Sequence, residues 1–139
     1  LQVIREVEAA RPESQIQLTL ALALLKGEKF DLVVQKATEL GVTQIMPVIT
    51  KHADIRLRDE SDTAKRVTRW QRIAMEAAKQ SGRAVVPKVA GVITFAALIE
   101  TPDDKPSNCL MFSERDGESL SQTKENIAVE SKQLTALVG

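Results

Sequence analysis

The sequence predicts an α/β domain, a mainly parallel sheet flanked by helices, and three observations carry that prediction. In "QIQLTLALALL" at 15–25, Ile16, Leu18, Leu20, Leu22 and Leu24 alternate with smaller or polar residues, the period of a strand. Ala21, Ala23 and Leu25 imply that its second face is covered too, so this strand is expected to be central. In "KGEKFDLVVQKATELG", Phe30, Val33, Val34, Ala37 and Leu40 recur at helical spacing, and Gly41 supplies a left-handed stop. "QIMPVIT" then reads as a second short strand. Strand, helix and strand with brief joints form a βαβ unit, which closes with parallel strands and a right-handed crossover.

A polar loop, "KHADIRLRDESD", leads to the longest helix, "TAKRVTRWQRIAMEAAKQSG", with Ser61 or Asp62 placed to cap its first turn and Gly82 to end it. Val67, Trp70, Ala74, Ala77, Ala78 and Ser81 make the inner face, and its alanines permit close packing. Pro87 opens a short extended piece, "PKVAGV"; "TFAALIE" is a brief helix and "TPDDKPSN" a turn-rich loop. "CLMFSE" is a good strand, "RDGESLSQTKEN" reads as polar and irregular, and "QLTALVG" is a further strand. No internal repeat or low-complexity segment interrupts this order.

The totals agree with one globular domain: 139 residues, 43% hydrophobic and 27% charged. Nineteen basic and nineteen acidic residues cancel, so any attraction to a charged partner must be local. A single cysteine, Cys109, excludes an internal disulfide framework and fits a reducing, cytoplasmic setting. No apolar run approaches the roughly 20 residues that span a bilayer. The start lacks an initiator Met and signal-peptide order, and the end is an apolar strand running into glycine, so the sequence reads as part of a longer chain.

Several chemistries are disfavoured because their motifs do not occur: no glycine fingerprint follows a strand, and there is no P-loop, paired Cys/His spacing or nucleophile elbow. With His52 as the single histidine, metal centres and histidine triads are poor candidates. The long helix offers more. Lys65, Arg69, Arg72, Glu76 and Lys79 form a stripe, and residues 51–88 carry ten Lys/Arg against five acids. A phosphate-binding surface needs such a patch; a solvated helix face with an Arg72–Glu76 pair is the simpler account of these residues alone. "KQSGR" delivers Arg83 into a loop, where a fixed guanidinium could clamp a phosphate. The strand ends "MFSE" and "LVG" matter because ligands of parallel α/β sheets bind beyond the carboxyl ends of strands. If these two strands are neighbours, Phe112–Glu114 and Val138–Gly139 line one crevice.

"QKATELGVTQIMPV", the basic loop, "RWQRIAMEAAKQSGRAVVP" and a strand ending "ALVG" resemble, over roughly residues 15–139, the RsmE family of ribosomal RNA uridine methyltransferases, members of the SPOUT trefoil-knot class. The resemblance implies a partial SPOUT domain: residues 1–15 as the end of, or linker from, an N-terminal PUA-like RNA-binding barrel, residues 16–139 as the front of the methyltransferase domain, and the C-terminal knot missing. It implies methyl transfer from S-adenosylmethionine to N3 of a uridine in 16S ribosomal RNA, with the small ribosomal subunit as partner, a homodimer in the full-length protein, and no metal or membrane. The rival expectation is a non-catalytic RNA-binding or ribosome-assembly module of the same fold.

Carried over by position, Met111, Phe112, Ser113 and Glu114 match the first donor-binding loop and Val138 with Gly139 enters the second. Because a third loop is not in the sequence, this segment alone is expected to bind the donor weakly or not at all and to be inactive by itself. Lys36 and Glu39 match "K-x-x-E-L-G-V"; Gln80 and Arg83, with Ser81 between them, match "E-A-x-x-Q-S-x-R". With Arg69 and Arg72 these are the candidate RNA contacts, and both motifs are expected to face the cleft where RNA meets the donor. His52 and Ser113 depart from the family pattern, where arginine and histidine are usual. Glu39, Glu114 or a residue beyond the segment could serve as the base.

Overall fold

The computed structural model describes residues 12–51, 59–100, 108–113, 117–123 and 132–139. Its elements run β1 (Gln17–Ala23), α1 (Lys29–Glu39), β2 (Gln44–Ile49), α2 (Glu60–Ser81), β3 (Lys88–Val89), β4 (Ile93–Thr94), α3 (Phe95–Glu100), β5 (Cys109–Phe112), α4 (Leu120–Thr123) and β6 (Gln133–Val138). The sheet order is β3-β2-β1-β6-β5, with β4 also on β2, and every pairing is parallel. β1 is central, as its two apolar faces required: Leu18, Leu20 and Leu22 face one core and Ala21, fully buried, faces the other.

β2 carries a proline in its interior, where a missing N–H would normally break a ladder. The Val48 carbonyl accepts Leu24 N–H on the β1 side and the Ile45 carbonyl accepts Ala90 N–H on the other. Alternation therefore turns the Pro47 nitrogen outward, between β3, which pairs with Gln44 and Ile45, and β4, which pairs with Val48 and Ile49. The ladder is interrupted where no donor exists, so nothing is left unpaired.

α1 and α2 pack together on one face of the sheet. Phe30, Val34, Ala37, Trp70 and Ala74 join Leu24, Val42, Ile45 and Val89 in the larger core, with the Phe30 and Trp70 rings 4.5 Å apart and tilted by 47°. Trp70 buries its ring yet satisfies its N–H by donating to Asp31 Oδ1 (3.0 Å). Gln71 joins α2 to β3 in ladder fashion, donating to the Pro87 carbonyl and accepting Val89 N–H. The opposite face holds a smaller core of Ala21, Val48 and Leu137, against which Phe95 and Leu98 of α3 pack.

Four expectations are corrected. The cap of α2 is Asp59, whose side chain accepts Asp62 N–H at 2.7 Å, so Ser61 and Asp62 lie inside the first turn. Leu40 is 83% exposed: the helix closes at Glu39 and Gly41 turns the chain at φ +100° before Leu40 can reach the core. Ser81 faces solvent, its hydroxyl donating back to the Ala77 carbonyl. The polar stretch expected to be irregular contains α4.

Candidate functional site

β5 and β6 lie side by side, with Met111 opposite Leu137 and Phe112 opposite Val138. Their carboxyl ends, together with those of β1 and β2 and with Phe95, surround an open hollow of about 470 Å³. Ala23, Val48, Phe95, Met111, Phe112 and Leu137 give it apolar walls; Thr50, Ser113 and Gly139 supply polar side-chain or backbone groups at the strand ends. The crevice expected from two strand ends thus exists, and it takes in four strands. Met111, Phe112, Ser113, Val138 and Gly139 line it; Glu114, like His52, lies outside the described residues. Met111 is 66% and Phe112 49% exposed, an unusual degree for large apolar side chains on a strand. Phe95 was missed in the sequence, where "TFAALIE" carries only helical signals and nothing ties its first residue to a strand end.

The polar candidates sit elsewhere. In the crossover from β1 to β2, the amino end of α1 lies above the carboxyl end of β1 and its last turn above the amino end of β2. Lys36 and Glu39 are therefore at the amino edge of the sheet, separated from the hollow by the seven-residue length of β1, about 20 Å. Lys36 Nζ donates to Glu39 Oε2 (2.7 Å) and Gln35 Nε2 to Glu39 Oε1 (3.0 Å). The Lys36 bond, then the Gln35 bond, hold the Glu39 carboxyl below the ordinary carboxylate range. Neither motif faces the hollow of its own chain, and Glu39 is out of reach as a base there.

Arg83 has a different place from the open clamp the sequence suggested. Its side chain is 8% exposed. Nη1 donates to the Thr38 and Val42 carbonyls (2.9 Å each), capping the exit of α1, while Nη2 donates to Glu13 Oε2 at 2.7 Å and Nε reaches the same carboxylate. Glu13 Oε1 also accepts the N–H groups of Ala84 and Val85. The Arg83 hydrogen bond, opposed by burial and assisted by these backbone donors, pulls the Glu13 carboxyl below its ordinary value. Arg83 is tied up within the chain because the αL turn at Gly82 (φ +69°) aims it back beneath α1.

Arg69 is likewise occupied, with Nη2 donating to Asp31 Oδ2 and 3.8 Å from Glu28. The Arg72–Glu76 pair is replaced by Lys79–Glu76 at 2.9 Å. Arg72 and Gln80 make no hydrogen bond or ion pair to any described residue, and both line a groove of about 420 Å³ between α1 and α2. Among the described residues no group of His, Cys, Asp and Glu could hold a metal, and no helix is long and apolar enough to cross a membrane.

Comparison with known proteins bears on this arrangement directly: an RNA methyltransferase domain family matches residues 12–139. The chain belongs to that family. Relatives of this RNA methyltransferase domain include the ribosomal RNA small subunit methyltransferase E of Mesomycoplasma hyopneumoniae, 34% identical over 100 residues, covering 72% of this chain and 43% of the relative. The protein of the same name from Bacillus subtilis is 38% identical over 92 residues, covering 66% and 36%. A crystal structure of the Neisseria gonorrhoeae ribosomal RNA small subunit methyltransferase E bound to S-adenosyl methionine superposes with a TM-score of 0.77 at 34% identity, covering 95% of this chain and 52% of that one. The chain spans about half the length, or less, of these relatives. The α/β architecture with a parallel sheet, expected for a partial SPOUT methyltransferase domain, is the one found.

Proposed function

We propose that the protein carrying this chain transfers a methyl group from S-adenosylmethionine to N3 of a uridine in 16S ribosomal RNA, and that the strand-end hollow holds the donor. The observation that carries the reading is the shared hollow, with Met111–Ser113 and Val138–Gly139 on adjacent parallel strand ends. Its position follows the rule for parallel α/β sheets, and its volume falls in the range of about 300–1,000 Å³ of small-molecule sites. The relatives' names and the S-adenosyl methionine of the gonococcal structure support it.

The residues present fit such a donor. Phe95, Met111 and Phe112 offer apolar surface for a purine ring, and the strand termini at Ser113 and Gly139 offer backbone groups for its polar parts. When bound, S-adenosylmethionine supplies a methyl group activated on a sulfonium. The chain's contribution is alignment: rigid strands fix the rim of the hollow, and holding reactants in line can supply on the order of 7–11 kcal/mol. The apolar walls exclude water from one side of the site. Extruding the target base costs a few kcal/mol, to be offset by contacts elsewhere on the RNA. The base that takes the imino proton is not Glu39 of the same chain, given its place across the sheet. A homodimer and a cytoplasmic location complete the proposal.

The test is transfer of labelled methyl to small-subunit ribosomal RNA by the full gene product carrying this chain, with the modified nucleoside identified by mass spectrometry. N3-methyluridine is expected. RNA binding with no donor binding in calorimetry would instead establish the non-catalytic assembly module.

A further inference from the structure

The groove between α1 and α2 is built unlike a plain solvated helix face. Its floor is apolar, from Ile73 and Ala77, and its rim carries Gln35, Arg72, Glu76 and Gln80. Glu76 is engaged by Lys79, whereas Arg72 and Gln80 keep their donors free of every described residue. Gln35 is held in one orientation: an ionised carboxylate only accepts, so the amide must turn its NH₂ to Glu39, which leaves its carbonyl oxygen free to accept from outside. Lys36 fixes Glu39 in turn. An apolar floor, two amides and an unengaged guanidinium together suit an unpaired nucleotide: the floor gives the base an apolar surface to lie against, the amides hydrogen-bond its edge and the guanidinium pairs with a phosphate. Lys65, also without a described partner, continues the cationic line along the same helix.

We propose that this groove binds an unpaired nucleotide of RNA, with Arg72 on its phosphate and the Gln35 and Gln80 amides on its base edge, as a second RNA site across the sheet from the methyl-donor hollow. The proposal rests on the reading that the protein acts on RNA, not on which base it methylates. The sheet separates the two sites, since the helices pack on the Leu18–Leu20–Leu22 face and the hollow opens on the side of Ala21, Val48 and Leu137. One chain therefore cannot place the same nucleotide in both. The bound nucleotide flanks the target in sequence or in the folded RNA. Lys36 and Glu39 are positioning residues that set the Gln35 amide.

The experiment compares the full gene product with its Arg72→Ala, Gln80→Ala and doubly substituted variants, using a fluorescent small-subunit ribosomal RNA transcript at two salt concentrations. Both side chains that change are exposed on α2, and an unchanged thermal melt checks folding. RNA affinity of the double variant is expected to fall on the order of tenfold, the scale of losing hydrogen bonds to a charged group and to a base edge. Loss of Arg72 should make the slope of log affinity against log salt shallower by about 0.7, the share of one single-stranded phosphate, and Arg72→Lys should restore that slope but not the full affinity. Affinity for S-adenosylmethionine should stay as in the parent, and in turnover the loss should fall on KM for RNA. RNA affinity and salt slope equal to the parent would overturn the groove, as would a defect confined to binding of a protein partner. If the parent transfers no methyl group but the variants still lose RNA affinity, the enzymatic reading fails and the groove stands.

Discussion

The two ends of the parallel strands are finished in opposite ways. At the amino ends, Arg83 and Glu13 join α1, the turn leading into β2 and the turn after α2 through a dense set of hydrogen bonds, with the guanidinium almost fully buried. At the carboxyl ends the strands stop around an open hollow, and Met111 and Phe112 stand half or more in solvent. A buried guanidinium with every neighbour satisfied fixes geometry; exposed apolar side chains beside strand ends are the surface that the proposed donor would cover. Stability should thus be most sensitive at the first end and ligand binding at the second.

The largest expected effect is at the amino end. Arg83→Ala strips two carbonyls of a donor and leaves Glu13 without its cation, and should lower unfolding free energy by about 3 kcal/mol in denaturant titration. Arg83→Lys should recover little, because an ammonium cannot span two carbonyls and a carboxylate at once. Equal stability of Arg83→Ala and the parent would erase the contrast. At the other end Phe112→Ser should leave the denaturation midpoint nearly in place, yet weaken S-adenosylmethionine binding by the full gene product about tenfold, or 1.4 kcal/mol. A smaller effect is expected where α2 begins, above the carboxyl ends: Asp59→Ala removes the cap to Asp62 N–H and should cost about 1 kcal/mol.

The smallest effect is titration of the amino-end clamp. Because folding depresses the Glu13 carboxyl, its contribution is fully present above the unfolded glutamate range and is lost as pH falls through that range toward the depressed value. Glu39 adds a contribution of the same sign. Stability followed between about pH 6 and pH 3 should fall less steeply in Glu13→Gln, which is already weakened at neutral pH, than in the parent. Parallel pH profiles would show that Arg83 does not depend on the charge of Glu13.

This division also explains what could be read in the sequence. β1, α1, β2 and α2 are written in local periodicity, and the hollow followed from where "MFSE" and "ALVG" end once the strands were parallel neighbours. Arg83 was misread as open because its partner Glu13 lies 70 residues away, and no spacing rule connects them. The run Asp59-Glu60-Ser61-Asp62 offers several capping side chains in succession, and the first intrahelical turn chooses among them. Gln35 was overlooked because its role depends on Glu39 locking the amide, a side-chain matter that helical spacing does not record. Arg69 and Arg72 look alike in a charge stripe; only the approach of α1, bringing Asp31 to one and not the other, separates them.

We assign the methyl donor to the carboxyl-end hollow. A crystal structure of the full gene product grown with S-adenosylmethionine tests that assignment most directly. The ligand should lie against Phe95, Met111–Ser113 and Val138–Gly139. A donor molecule seated on the α1–α2 face, or anywhere with these strand ends left bare, would contradict it.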